Sequence, residues 1–119
     1  MKLVIAIIRP DRLDAVRREL EAVLDEADSY RLTVQSVEGH GRQRGQTEYF
    51  RGTAVHSSLV PKVQVTIGLN DRYVEPAISA IIRGARTDGG GAVGDGKIFV
   101  LPLEQCVRIR TGDRGGSAI

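Results

Sequence analysis

The sequence contains no tryptophan, and tyrosine and phenylalanine together supply only 4% of its 119 residues. This scarcity argues against a surface on which single-stranded bases stack on aromatic rings. The single cysteine, Cys106, can form neither an internal disulfide nor a cysteine cluster for a metal. The apolar run from Leu3 to Ile8 is too short for a signal peptide or a membrane span, so we expect a cytoplasmic protein.

Glycine, in contrast, is abundant. The 14 glycines, against 4 prolines, indicate several backbone positions with special geometry. The length is that of one ordinary domain, so residues 1–119 are interpreted as a single domain. The formal net charge of +2 is below what a dedicated nucleic-acid-binding protein usually carries, and the positions of the cations therefore matter more than their sum.

Hydrophobic patterning predicts strands separated by turn residues. They are predicted at Leu3 to Ile8, within "YRLTVQSVEGHG" with a possible bulge, at "VPKVQVTIGL", at "KIFVLPL" and, as a last short strand, at "CVRIR". The connection between the second and third of these strands is long.

Two amphipathic helices are predicted between the strands. The first runs from Asp11 to about Ala27, and Asn70 or Asp71 caps the second, whose regular part we expect Pro76 to delay. The resulting order is that of an α+β ferredoxin-like fold, βαββαβ, with an antiparallel sheet and both helices on one face. Because the other face would stay bare, we expect a homo-oligomer.

Two segments are candidates for anion binding. In "GDGK", Gly94 to Lys97, glycines allow backbone N–H groups to converge on a phosphate, and the lysine adds charge; the alternative is an ordinary tight turn. In "VRIRTG", Arg108 and Arg110 would leave the same face of a strand as a fork for polyphosphate or carboxylate. The alternative there is a solvated edge strand whose charges oppose aggregation.

Catalysis has little support in the sequence. His40 and His56 have no partner cysteine or acidic cluster at metal-binding spacing, and neither belongs to a nucleophile motif. Asp95 in a Gly-Asp-Gly turn more commonly has a structural hydrogen-bonding role than an acid or base role. We therefore expect a protein that is not an enzyme.

In this order, the segments resemble the PII signal-transduction proteins over nearly the whole chain. The matching segments are "AIIRPDRLDAVRREL", "GHGRQRGQTEYFRG", "LVPKVQV", "AIIRGARTD", "GDGKIFV" and "VRIRTGD". The resemblance implies a homotrimer of ferredoxin-like subunits that binds ADP, ATP or AMP in the clefts between subunits. It also implies that a small acid effector binds there and that a long loop, the T-loop, regulates a membrane transporter or a metabolic enzyme or regulator.

The resemblance also implies the ligand-binding residues. The nucleotide site would take residues from two segments of one subunit and from its neighbour: Gly39, Gly41, Arg42, Gln43, Gly94, Asp95, Gly96 and Lys97, with Thr33, Arg108 and Arg110 from the neighbour. Gln43 would also help to hold a magnesium ion and the effector, and Lys62 would pair with a carboxylate of 2-oxoglutarate.

The chain departs from the family pattern at two places. Val55 stands where nitrogen-regulating members carry the tyrosine that is uridylylated or adenylylated, which excludes that modification there; Tyr49, Thr53 and Ser57 are other hydroxyls of the loop. The stretch "TDGGGAVGDG" is longer than usual, and its extra glycines are expected to loosen the phosphate loop. A PII-like branch associated with carboxysomes also lacks the tyrosine and responds to bicarbonate, so bicarbonate and 2-oxoglutarate both stay open as effectors.

Two other classes of function were weighed. A nucleic-acid-binding ferredoxin-like module would need aromatics on exposed central strands, and "KIFVLPL" offers only Phe99. Slow ATP hydrolysis in the cleft would need a general base, and none is identifiable in the sequence.

Overall fold

The computed structural model describes residues 1–24, 31–41, 47–50, 53–56 and 59–119. Four strands form one antiparallel sheet in the spatial order β2–β5–β1–β6, with bounds β1 (Lys2–Ile8), β2 (Leu32–Gly39), β5 (Val60–Leu69) and β6 (Gly96–Pro102). Helix α1 (Leu13–Val23) connects the first two strands, and α2 (Asp71–Ala85) connects the last two. The predicted ferredoxin-like α+β fold is therefore confirmed.

The long connection between β2 and β5 contains a hairpin that the sequence did not predict. Strands β3 (Thr47–Phe50) and β4 (Thr53–His56) pair antiparallel, from Thr47 opposite His56 to Phe50 opposite Thr53. Val55 and Tyr49 lie within these strands, whereas Ser57 lies outside the described residues. The connection between β2 and β5, residues 40–59, which the resemblance identifies as the T-loop, thus contains a β-ribbon separate from the main sheet.

The hydrophobic core lies between the sheet and the two helices. Alternate residues of β1 and β5 face the helices, which contribute Val16, Leu20, Ala77 and Ile81 to the same cluster. The helices approach each other closely at Gly84, where an added Cβ would stand 2.6 Å from Cα of Val16. No helix in the described part of the chain has the length and apolarity to cross a membrane.

The sheet face opposite the helices carries exposed apolar side chains. Ile5 and Ile7 of β1 point to this face, and Phe99 of β6, directly opposite Ile5, is 50% exposed. Leu101, opposite Leu3, is also exposed. The bare face expected from the sequence is thus present in the single chain.

Helix α1 differs from its prediction at both ends. Residues Pro10–Arg12 form a 3-10 turn before the helix begins at Leu13, and the helix ends at Val23 rather than near Ala27. Leu24 has an extended backbone, with φ −106° and ψ 125°, while its side chain is buried. The helix thus ends at Val23, and Leu24 directly after it is the last buried core residue of this stretch.

The predicted bulge in β2 is wrong. The pairing with β5 runs without interruption from Leu32 opposite Ile67 to Gly39 opposite Val60. The alternation in the sequence is imperfect because Val37 lies on the opposite sheet face from Leu32, not because a residue is inserted.

Helix α2 also departs from expectation, because it begins at Asp71 despite Pro76. Val74 in the first turn is buried against the core, and Pro76 itself is exposed, so packing outweighs the missing backbone N–H. The side chain of Asn70 does not cap the helix; its Nδ2 donates instead to the carbonyl of Gly116, at 3.1 Å. Asp71 pairs with the N-terminal ammonium group at 2.9 Å.

Candidate functional site

The candidate site lies at the sheet end where β1 finishes and β6 begins. Arg9 follows β1, Lys62 lies near the start of β5, and Gly94 and Asp95 directly precede β6. The segment between α2 and β6, residues 86–95, is called the glycine loop below. These segments meet because Gly96 is paired with Ile8 at one strand end.

Lys62 is the one buried charged side chain among the described residues, with 9% of its surface exposed. Its Nζ donates a hydrogen bond to the carbonyl oxygen of Gly94 at 2.5 Å. Desolvation lowers the pKa of Lys62 below its ordinary value, and the nearby Arg9 guanidinium lowers it further, whereas Asp95 opposes the change. A buried ammonium group close to a second cation would attract an anionic ligand.

Asp95 organises the glycine loop from within. Its carboxylate accepts hydrogen bonds from Arg9 Nε at 3.0 Å, from Ala92 N–H at 2.9 Å, and from the N–H and hydroxyl of Thr87 at 3.1 and 3.3 Å. Desolvation raises the pKa of Asp95, but the backbone N–H groups of Ala92 and Thr87, with Arg9, outweigh it and hold that pKa well below its ordinary value. Both oxygens are thus occupied inside the chain, and Asp95 shapes the loop.

Gly96 allows the loop to join the sheet. Its φ of 117° is rarely adopted by other residues, and a Cβ at this position would collide with the carbonyl of Ile7. The next residue, Lys97, lies opposite Ile7 and is exposed. The Gly-Asp-Gly-Lys motif therefore places a cation on the open sheet face directly beside the loop.

The base of the T-loop borders Lys62. A Cβ on Gly39, the last residue of β2, would stand 3.4 Å from Cγ of Lys62. Gly41 is exposed, with open space around its Cα. Arg42 and Gln43 lie outside the described residues, so their assignment to nucleotide, effector and magnesium stays a prediction.

Thr33 is not brought to this site within one chain. It lies opposite Thr66, six residues before Gly39 along β2, a separation of about 20 Å at the usual strand rise. The resemblance assigns Thr33 to a neighbouring subunit, and that assignment stays a prediction.

Arg108 and Arg110 do not lie on a strand, and the prediction of "CVRIR" as a strand is wrong. The segment turns back on itself: Arg108 N–H donates to the Asp113 carbonyl at 2.9 Å, and Gly112 N–H donates to the Arg108 carbonyl at 2.7 Å. The positive φ of Gly112, 74°, permits this turn, and only an isolated bridge joins Val107 to Arg114. The two guanidinium groups therefore do not form a fork on one sheet face.

The side chain of Arg108 is bound to the C-terminal segment. Its guanidinium donates to Asp113 Oδ2 at 3.4 Å and to the carbonyl of Ser117 at 3.0 Å. The neighbouring Gly116 is bonded to Asn70, which follows β5 at the sheet end where β1 begins. Arg108 is thus bonded to a segment that is attached at the sheet end opposite the one that carries Lys62.

Arg9 and Arg12 were missed as site residues by sequence reasoning. Arg9 donates to Asp95 from Nε and to the carbonyl of Val93 from a terminal nitrogen, at 2.7 Å. The sequence signal that could have indicated Arg9 is its position in "IIRP", between a buried strand and a proline, which places its side chain at the end of that strand.

Among the described residues, no three histidine, cysteine, aspartate or glutamate side chains are grouped to hold a metal ion.

Comparison with known proteins gives one consistent result. The family described as "Nitrogen regulatory protein P-II" matches residues 1–113. The chain is 50% identical to Nitrogen regulatory protein GlnK1 of Methanosarcina mazei over all 119 residues, covering 97% of that protein. It is 45% identical to Nitrogen regulatory protein P-II of Cereibacter sphaeroides over the full length of both, and 42% identical to Nitrogen regulatory protein P-II 2 of Methanothermobacter thermautotrophicus, covering 97% of it.

Proposed function

Because this chain belongs to the nitrogen regulatory P-II family of signalling proteins, we propose that it senses adenine nucleotide and a small acid together. ADP, ATP or AMP binds in clefts between the subunits of a homotrimer, and the T-loop reports the bound ligands to a partner protein. The observation that carries this proposal is the hydrogen bond from Lys62 to Gly94, which joins a buried cation to the glycine loop.

The glycine loop supports the choice of a phosphate ligand. Gly94 and Gly96 have positive φ values of 98° and 117°, which turn their backbone toward an anion, whereas the N–H of Asp95 between them already donates to the Ala92 carbonyl at 3.2 Å. Lys97 adds an exposed cation directly after them. Polyphosphate needs both amide donors and cations, and this segment offers both.

The separation of the cationic residues supports a site shared between subunits. Lys62 and Lys97 lie toward one sheet end, whereas Arg108 is bonded to the C-terminal segment at the other. One nucleotide would not span both ends of one sheet, which supports the proposal that a second copy supplies the arginines. The exposed apolar face with Phe99 and Leu101 is the surface that a trimer would bury.

Lys62 is the residue that we assign to the acid effector. Its ammonium is buried next to the Arg9–Asp95 ion pair, so a carboxylate would meet one poorly solvated cation beside an arginine that already has a partner. The relatives are named as nitrogen regulatory proteins, which favours 2-oxoglutarate over bicarbonate. The resemblance gives Gln43 as the residue that would hold a magnesium ion beside the effector.

Signalling follows from a shift between T-loop conformations. Gly39, the last residue of β2 before the T-loop, borders Lys62, so a ligand at Lys62 lies directly beside the start of that loop. The effector shifts the equilibrium only as far as it prefers one conformation over another. Val55 has no hydroxyl, so the T-loop responds to ligands without modification at this position and then engages a transporter, an enzyme or a regulator.

Titration calorimetry with ATP, ADP and AMP tests the nucleotide site. The wild type binds at least one of them, and Lys97→Ala weakens that binding about 10- to 100-fold, the effect of one charge-assisted contact. Arg17→Ala is the control, because Arg17 is an exposed cation on α1, away from both sheet ends assigned to the nucleotide. Absence of binding by the wild type, or equal affinity in the Lys97 variant, would exclude this assignment.

The effector is identified in a second titration with nucleotide present. 2-Oxoglutarate is expected to bind only with Mg-ATP. Binding of bicarbonate without binding of 2-oxoglutarate would instead make this a sensor of inorganic carbon.

A further inference from the structure

Arg12 holds the point at which the chain leaves α2. Its Nε donates to the carbonyl of Gly84 at 3.0 Å, and a terminal nitrogen donates to the carbonyl of Arg86 at 2.6 Å. The last carbonyls of a helix have no partner within the helix, and a cation there also interacts favourably with the helix dipole. One half-buried guanidinium therefore fixes the direction in which the glycine loop begins.

The other end of the glycine loop is held from the same turn. Arg9, three residues before Arg12, bonds Asp95 and the carbonyl of Val93. The 3-10 turn Pro10–Arg12 thus connects the two arginines that bind the beginning and the end of the loop. Both loop ends are tied to a single short segment after β1.

The crest of the loop has little packing of its own. Gly89 and Gly90 have φ values of 82° and 91°, and a Cβ added at either would meet nothing within 4 Å. Inside the loop, Gly91 N–H donates to the Thr87 carbonyl at 3.1 Å. The extra glycines were expected to loosen the glycine loop, but hydrogen bonds at its two ends and its base oppose this. The position of the crest depends on those hydrogen bonds.

We propose that Arg12 is a positioning residue for the nucleotide site, an inference that rests on the function proposed above. It does not contact the ligand. It holds the first residues of the glycine loop against α2, so the loop amides and Lys97 are already arranged before the phosphates arrive. Ordering in advance raises affinity because less conformational entropy is lost on binding.

The test compares Arg12→Ala and Arg12→Lys with Arg83→Ala. Arg83 also lies in the last turn of α2, but it pairs with Glu19 at 3.0 Å and donates nothing to the glycine loop. Each alanine variant removes a cation from the same helix end, and only the Arg12 variant releases the loop. Lysine at position 12 keeps the charge but loses the two-pronged donor geometry.

ATP affinity by calorimetry is the first readout, with the melting temperature of each variant measured alongside. We expect ATP binding to weaken about tenfold in Arg12→Ala and by a smaller factor in Arg12→Lys, and to stay unchanged in Arg83→Ala. Should Arg12→Ala fail to fold, the lysine variant decides. Wild-type affinity in the folded Arg12 variants, or equal weakening in Arg83→Ala, would overturn the proposal.

The second readout needs no ligand. Amide resonances of Gly89 to Gly91 in the nucleotide-free protein are expected to shift in both Arg12 variants and not in Arg83→Ala. If the wild type binds no nucleotide, the proposed function fails, while these resonances still show whether Arg12 positions the loop. Unchanged resonances in the Arg12 variants would contradict the positioning role.

Discussion

Lys62 and Gly94 are 32 residues apart in sequence and joined by a 2.5 Å hydrogen bond from Nζ to the carbonyl oxygen. This bond links the residue assigned to the effector with the loop assigned to the nucleotide phosphates. A carboxylate that binds Lys62 therefore acts on an ammonium group that already holds the glycine loop. Binding at the two positions is expected to be coupled, and by linkage the coupling works in both directions.

Replacement of Lys62 tests that coupling. In Lys62→Met, effector binding in the presence of nucleotide is expected to weaken at least about tenfold, since a charge-assisted contact is lost. Nucleotide binding alone is expected to weaken by a smaller factor, because the glycine loop loses its bond to Lys62 while Arg9, Arg12 and Lys97 persist. Calorimetry measures both, with Arg17→Met on the exposed side of α1 as the control. Effector affinity unchanged in Lys62→Met would refute the assignment.

Asp95 is expected to make stability depend on pH in the acid range. Its pKa in the folded chain lies below the ordinary value of 3.8, so its stabilising contribution is complete above that value. The contribution is lost as the pH falls through the lowered folded pKa. At pH 7, Asp95→Asn should reduce the free energy of unfolding by about 1–3 kcal/mol, the usual effect of disrupting charge-assisted hydrogen bonds.

Denaturant unfolding at several pH values between 7 and 2 measures this effect. The difference between wild type and Asp95→Asn should shrink as the pH falls below 4. Asp88→Asn is the control, because Asp88 is exposed in the same loop. A difference that stays constant down to pH 2 would show that the ionised carboxylate is not the stabilising form.

Gly84 sets the separation of the two helices. A Cβ there would stand 2.6 Å from Cα of Val16 and 2.7 Å from its backbone nitrogen, so Gly84→Ala has to push α1 away from α2. We expect a loss of about 1–3 kcal/mol in the free energy of unfolding. Gly68→Ala is the matched control, since its Cβ would make an ordinary 3.5 Å contact with Leu103; equal loss in the two variants would exclude the helix contact as the cause.

Strands and helices with a clear period could be predicted from the sequence. The alternation of Val63, Val65, Ile67 and Leu69 fixes which face of β5 is buried, and the observed burial matches it. The errors have local causes. The start of α2 was misjudged because burial of Val74 outweighs the effect of Pro76, and the end of α1 because burial of Leu24 outweighs backbone preference. The segment "CVRIR" was misjudged because its turn depends on Gly112 and on the contacts of Arg108 with the C-terminal segment.

The candidate site was predictable where short motifs carry its chemistry. Gly94, Gly96 and Lys97 lie within four consecutive residues, so their grouping needed no tertiary information. Arg9 and Arg12 were missed because their partners lie 86 and 72 residues away and include backbone carbonyls, which leave no mark in a sequence. The approach of Lys62 to Gly94 likewise depends on the strand order β2–β5–β1–β6.

The central claim is that each nucleotide site takes Lys97 from one subunit and Arg108 from another, and mixed trimers test it most directly. Lys97→Ala and the double variant Arg108→Ala/Arg110→Ala are each expected to bind ATP weakly as pure proteins. When the two are unfolded together and refolded at equal amounts, about one quarter of the clefts combine two intact halves. We predict that ATP binding of wild-type affinity returns in that fraction of sites, but not when the folded proteins are mixed without exchange. Co-refolded protein that binds no better than either variant alone would contradict the claim.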